Sequence, residues 1–321
     1  VRRVFFLVLA YACTDPGKAG RDDTGRPPDP DTDTDTDTDT DADTAVAELE
    51  VETDTGTDPE RFVQVSVAGQ ACALRANGQL ACWGYDPEHG GDGGTDAPEG
   101  AFAYVTVGLG ANCAIDPEAA VQCWGLVENV DPDELPPGRI VGLAVLEDGV
   151  CGLYPSGEVA CTGWFGLHYP PPEHLRFRRI RGSSSDVVCG VTTDGTLSCW
   201  GENHWGEIYP PSGEFTDVDC HTSQCCALDD DGIATCWGIS EDEADYQPPD
   251  AALVAVAASA YICAGLTAAG ELLTWGSEED DTPGPGGTYR HVASGSGACA
   301  VDDHGDLLCW GSNPWILDPP D

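Results

Sequence analysis

Residues 72–84 read Cys72-Ala-Leu-Arg-Ala-Asn-Gly78-Gln-Leu-Ala-Cys82-Trp83-Gly84. Two short β-type runs flank Asn77-Gly78, a turn pair, so the stretch predicts a hairpin. If Cys72 faces Cys82, Leu74 must face Leu80, because side chains on one strand face recur every second residue. The cysteines thus set a register, and the leucines test it.

The same spacing returns at Cys113/Cys123, Cys151/Cys161, Cys189/Cys199, Cys226/Cys236 and Cys299/Cys309, usually followed by Trp-Gly. A further copy has Ala264 and Thr274 in the cysteine positions and Trp275-Gly276 after them. The facing apolar pair recurs as Ile115/Val121, Leu153/Val159, Val191/Leu197, Leu228/Ala234, Leu266/Leu272 and Val301/Leu307. Opposed cysteines in an antiparallel pair lie roughly 4.5–5.5 Å apart at Cα and can bridge. Each bridge closes a loop of about 11 residues, worth roughly 2–3 kcal/mol by loop entropy. The turn glycine recurs at Gly78, Gly157, Gly195, Gly232, Gly270 and Gly305, where a positive φ is expected. Ala119 replaces it in the second copy, so that turn is expected to differ.

An earlier strand precedes each hairpin, marked by Phe62/Val65, Phe102/Val105, Ile140/Leu143, Phe177/Ile180, Phe215/Val218, Leu253/Val256 and Tyr289/Val292. Units of three strands cannot bury both faces alone, but stacked radially each covers its neighbour. A repeat of 35 to 41 residues in seven copies predicts an all-β fold, a seven-bladed β-propeller with three- to four-stranded blades. Pro319-Pro320-Asp321 stands where the next blade would begin, so the repeat frame should close on Phe62.

The run Cys189-x5-Gly195-x3-Cys199-Trp200-Gly201-x-Asn203-x2-Gly206-x3-Pro210-Pro211-x-Gly213-x-Phe215-x2-Val218 resembles the short bacterial form of the regulator-of-chromosome-condensation (RCC) repeat, across residues 61–321. The resemblance implies a propeller that binds other proteins through its surface loops. Family members include a nucleotide-exchange factor for a nuclear GTPase and a secreted propeller that inhibits a β-lactamase.

Residues 1–13 carry Arg2-Arg3, an apolar run and Ala12 before Cys13, the pattern of a signal peptide ending at a lipidated cysteine. A plain secretory signal is the alternative. Residues 14–60 alternate Asp and Thr over much of their length, and carboxylates this close repel, so a disordered acidic stalk is expected. As a coil it spans about 35–40 Å end to end. Sixteen cysteines without Cys-x2-Cys spacing favour bridges in an oxidising compartment over a metal site. The sequence therefore predicts an exported protein of a bacterial envelope or surface, lipid-anchored at Cys13, with secretion or the periplasm as alternatives. Cys220, Cys225 and Cys263 remain; Cys220–Cys225 across a four-residue loop is favoured, and Cys225–Cys263 between blades competes.

The formal charge is −44, and residues 61–321 hold 40 acids and eight bases, a charge of −32. Such a ring repels nucleic acid and anionic membrane, so neither is expected as a partner. Arg176, Arg178, Arg179 and Arg181 gather four of the ring's bases, as an anion or partner patch or as local charge relief.

No enzymatic constellation stands out. The histidines, His89, His168, His204 and His304 among them, lack metal spacing. Asp229-Asp-Asp-Gly232 and Asp302-Asp303-His304-Gly305 align with the turn at Asn77-Gly78, where backbone reasons suffice. No cofactor or metal is expected. Aromatic residues outside the repeat frame are the binding candidates: Tyr85, Trp164, Phe165, Tyr169, Trp205, Tyr209, Tyr246 and Trp315. Equivalent loops of a propeller share one side of the ring, and Tyr and Trp there suit protein or carbohydrate ligands. The sequence thus reads as a monomeric, non-enzymatic module for a protein partner. A carbohydrate-binding propeller is the alternative, and a hydrolase or lyase with a loop-built site the next.

Overall fold

The computed structural model describes residues 58–84, 94–128, 130–183, 186–238, 247–259, 262–276 and 284–320. Cys13, nearly all of the acidic stalk, Tyr85 and Tyr246 lie outside them. The described residues form seven three-stranded antiparallel sheets in chain order. Blade 1 holds β1 (Phe62–Val67), β2 (Ala71–Arg75) and β3 (Leu80–Trp83); blade 2 holds β4 (Tyr104–Val107), β5 (Ala111–Ile115) and β6 (Val121–Gly125). Blade 3 holds β7 (Gly142–Leu146), β8 (Gly149–Leu153) and β9 (Val159–Cys161). Blade 4 holds β10 (Phe177–Ser183), β11 (Val187–Thr192) and β12 (Leu197–Gly201). Blade 5 holds β13 (Phe215–His221), β14 (Gln224–Asp229) and β15 (Ala234–Gly238). Blade 6 holds β16 (Leu253–Ala257), β17 (Ile262–Thr267) and β18 (Leu272–Gly276); blade 7 holds β19 (Tyr289–Ser294), β20 (Ala298–Asp302) and β21 (Leu307–Trp310).

The first strands touch in order, β1 to β4 to β7 and onward, and β19 returns against β1. This closes a seven-bladed propeller. The seam is built from backbone and side chains: Phe62 N–H donates to the Gly305 carbonyl at 3.0 Å, and Arg290 donates to the Phe62 carbonyl.

The cysteine register holds in every hairpin. Cys72 opposes Cys82 and Leu74 opposes Leu80; blade 6 keeps the same register with Ala264 opposite Thr274. In blades 1, 4, 5, 6 and 7 the marker residues of the inner strand are three apart rather than two because a bulge lies between them. In blade 1 Val63 is the extra residue, since Phe62 pairs with Arg75 and Gln64 with Leu74. The bulge turns Phe62 and Val65 to one face. There they pack with Cys299, Val301 and Ile316 of blade 7. Each other blade junction buries a cluster of the same kind: Phe177 and Ile180 meet Leu146 and Leu153, and Phe215 and Val218 meet Cys189 and Val191. The core of this protein is therefore a ring of junctions, as stacked repeats require.

Inner strands leave one backbone edge toward the axis, and side chains of the preceding blade satisfy part of it. Gln64 donates to the Val105 carbonyl at 2.9 Å, Val107 N–H donates to Ser66 Oγ at 3.1 Å, and Ala258 N–H donates to Asp219 at 2.8 Å.

Disulfides join Cys72–Cys82, Cys113–Cys123, Cys151–Cys161, Cys189–Cys199, Cys226–Cys236 and Cys299–Cys309, with Cα separations of 4.0 to 4.1 Å. Cys220–Cys225 is the seventh, across the turn between β13 and β14. The competing Cys225–Cys263 pairing is thereby displaced. Cys263 is a buried free thiol, 3.3 Å from both Gln224 Oε1 and the Ser259 carbonyl, and burial pushes its pKa up to about 12.

One expectation about the hairpin turns is overturned. The Ala119 turn does not differ: Ala119 adopts φ 67°, and its bonds to Asp116 repeat those of Gly78 to Arg75. Register and staple dictate the turn, and Ala119 takes the left-handed conformation glycine takes elsewhere. The Asp116 carboxylate supports it by accepting from Ala120 N–H at 2.8 Å.

Candidate binding surface at the loop end

In blades 2, 3 and 4 the turn after the inner strand and the segment after the outer strand share one end, here the loop end. Backbone bonds join the two: Leu126 N–H to the Gly110 carbonyl at 2.9 Å, Phe165 N–H to Asp148 at 3.1 Å, and Glu202 N–H to Asp186 at 2.9 Å. The hairpin turns with Gly78, Gly232 and Gly305 lie at the opposite end, the foot.

Three of the Trp-Gly tryptophans share a specific task. Trp124 donates its indole N–H to the Gly94 carbonyl at 2.8 Å, Trp237 to Glu207 at 2.7 Å, and Trp83 to Ile316 at 2.9 Å. In each case the acceptor sits in the loop that leaves the preceding blade. Each of these indoles therefore ties a neighbour's loop to its own blade.

Residues 202–209 form a loop held by several hydrogen bonds. Trp205 N–H donates to Glu207 Oε2 at 2.8 Å, and Gly206 N–H to Asn203 Oδ1 at 2.9 Å. Trp237 then fixes the Glu207 carbonyl, and Glu207 is only 1% exposed. This arrangement leaves Trp205 59% and Tyr209 71% exposed. Both side chains are displayed on a loop whose conformation is already set. Sequence reading identified the two aromatics but missed Glu207, since a buried glutamate in a polar loop carries no pattern.

The other candidates divide. Trp315 is 46% exposed, and its N–H donates to Asn313 Oδ1, whose amide donates in turn to Ser296 Oγ of the same blade. Trp164 is 40% exposed and lies in α1 (Gly163–His168), with one face stacked on His168 at 4.0 Å. Phe165 is fully buried and belongs to the core between blades 3 and 4, so it is not a surface anchor. Thr162 stands in the Trp position there, and Phe165 fills the space beside Cys151 and Leu153. Tyr169 is partly buried against the same cluster. Leu126 and Leu167, both exposed, extend the surface over blades 2 and 3.

The four clustered arginines do not make one patch. Arg176 pairs with Glu158 at 2.8 Å, Arg178 donates to the Phe215 carbonyl, Arg179 pairs with Asp217, and Arg181 lies 3.7 Å from Asp219. The last two pairs line the inner strands near the axis. These contacts fit charge relief within an acidic ring.

At the loop end, Asp186 is buried and accepts from Glu147 N–H at 3.0 Å. Burial pushes its pKa up to about 6, and the nearby Asp148 and Glu147 carboxylates add to the rise. The sulfurs of Cys189, Cys220 and Cys225 also gather within 4.8 Å, but all three are in disulfides and so are not free to ligate a metal.

A closed propeller of hairpin-stapled blades is the class of protein that this geometry defines. No family model and no curated protein matches the chain. Solved structures do. The ectodomain of the Physcomitrella patens receptor kinase CR4 superposes with a TM-score of 0.66 at 23% identity, over 78% of this chain and 74% of that one. The CRINKLY WD40 ectodomain of the Arabidopsis thaliana receptor kinase ACR4 gives 0.66 at 20%, over 81% and 99%. Prp20p from Saccharomyces cerevisiae, the yeast RCC1 protein, gives 0.56 at 16%, over 67% and 75%. The likeness is one of fold, an RCC1-like propeller.

Proposed function

We propose that this chain is an exported, non-enzymatic binding module that contacts a protein partner through its loop end. One observation carries the reading: Trp205 and Tyr209 are large, exposed and held on a loop fixed by two internal hydrogen bonds and by the Trp237 indole of the next blade. Exposed aromatics normally cost solvation, and a preset loop loses little entropy on binding, so together they suit an interface anchor. The structures of similar fold supply support from outside, since they include receptor ectodomains and a Prp20p studied for its binding to Gsp1p and histones. Seven disulfides favour an oxidising compartment and hence export. Within this reading Cys13 is the lipid attachment point and residues 14–60 are the stalk.

The test is capture by the oxidised full chain from the host envelope, comparing wild type with Trp205→Ala/Tyr209→Ala. The double variant should lose its specific partner while melting at the wild-type temperature. Undiminished capture would place the interface elsewhere.

A further inference from the structure

The charges of the ring are sorted by end. Its arginines are Arg61, Arg75, Arg139, Arg176, Arg178, Arg179, Arg181 and Arg290, and residues 58–321 contain no lysine. Every one lies on an inner strand, beside its start, or on the hairpin next to it. Arg75 pairs with Glu60 and Arg176 with Glu158 at the foot, while Arg179 and Arg181 meet Asp217 and Asp219 toward the axis. The segments that follow the outer strands carry carboxylates and, apart from Arg139 next to β7 and Arg176 next to β10, no Arg or Lys.

The exposed arc over blades 2 to 4, apolar at Leu126 and Leu167 and aromatic at Trp164, Trp205 and Tyr209, therefore sits in a field of one sign. Glu128 and Glu147 are exposed beside it, with Asp148 and Glu202 half-buried between blades 3 and 4. Glu202 has His204 as its neighbour at 2.6 Å. Burial raises the pKa of Asp186, and the same crowding of carboxylates adds to the rise. A second acidic surface would be repelled here. An aromatic face flanked by carboxylates attracts guanidinium and ammonium groups through both the ring quadrupole and the net charge.

We infer that the loop end over blades 2 to 4 docks a lysine- and arginine-rich segment of a partner protein, with Trp205 and Tyr209 as platforms and Glu147 and Glu202 as counter-charges. This rests on the reading of that end as the binding surface. Charge complementarity selects this occupant over a second copy of the chain, which carries the same negative charge.

The probe is a fluorescent octa-arginine peptide titrated onto the oxidised full chain at physiological salt. Glu147→Gln/Glu202→Gln and Trp205→Ala/Tyr209→Ala should each weaken binding about tenfold, the scale of one cation–π contact with its ion pairs. Asp230→Asn/Asp231→Asn at the foot removes the same charge and should change affinity less than about twofold. If the foot and loop variants weaken the peptide equally, attraction is diffuse and the inference fails. It also fails if the Gln variants capture the envelope partner as wild type does while Trp205→Ala/Tyr209→Ala does not, an outcome that leaves the loop end as the binding surface. Loss of neither would overturn both readings.

Discussion

Trp83 and Ile316 stand 233 residues apart, and the indole N–H of the first donates to the carbonyl of the second at 2.9 Å. That bond ties the loop leaving blade 7 to blade 1. Ile316 itself is fully buried among Phe62, Val65 and Val301. The ring is therefore closed by the same indole-to-loop contact that joins blade 1 to 2 and blade 4 to 5.

Trp83→Phe keeps the aromatic packing and leaves the Ile316 carbonyl without its donor. The expected loss is about 1–2 kcal/mol, read as a lower urea midpoint. Trp200→Phe is the comparison, because the Trp200 indole N–H has no hydrogen-bond partner. Its loss should be smaller; equal shifts would mean that packing, not the bond, sets the effect.

Ala119 holds a left-handed turn conformation that costs an L-residue roughly 1–2 kcal/mol. Ala119→Gly should relieve that and stabilise the protein by about 0.5–1 kcal/mol after the entropy of glycine is subtracted. The Gly78→Ala change creates the same situation in blade 1 and should destabilise. Thermal melts of both variants give opposite signs if the turn is as described.

Blade 6 has the register for a bridge without the cysteines. In a Cys263→Ser background, Ala264→Cys/Thr274→Cys should form an eighth disulfide, seen as a mass loss of about two hydrogens, and raise stability by about 2 kcal/mol. The serine keeps a donor toward Gln224 and Ser259 and removes a competing thiol. A pair of free thiols in the oxidised product would contradict the register.

Asp186 predicts a pH effect with a definite sign. Its folded pKa is about 6, above the ordinary carboxyl value, so the native state keeps a proton that the unfolded chain releases near pH 4. Its contribution to stability therefore falls as pH rises from about 4 to about 6. Asp219 acts in the same direction, whereas His221 and His291, lowered to about 4 by burial, add stability as pH rises toward 6.5. Asp186→Asn isolates one member of this set. It should stabilise at pH 7 relative to pH 4.5, compared with wild type by urea unfolding; the reverse would show that the carboxylate's bonds to Glu147 and Asp148 outweigh its burial.

The hairpin registers were legible in the sequence, the Ala119 turn apart, because the facing apolar pair recurs in all seven copies and the cysteine pair and turn glycine in six each. The inner strands were legible as markers, although the three-residue offset of Phe62 and Val65 makes sense only with the bulge at Val63. The candidate surface was half legible. Trp205 and Tyr209 lie outside the repeat and are exposed, but Phe165 looked the same in sequence and is core. What decides between them is the neighbouring blade, about forty residues away. The partners of Arg179 and Glu207 were hidden for the same reason, since both come from blade 5.

Among the described residues each cystine lies within a single blade, and none spans two. During synthesis, a blade can oxidise as soon as its own hairpin or turn has emerged, before the next is made. Correct pairing is then always with the nearest available cysteine in space, and sorting among sixteen thiols is avoided. The ring is left to close last, through noncovalent contacts alone, from parts already locked.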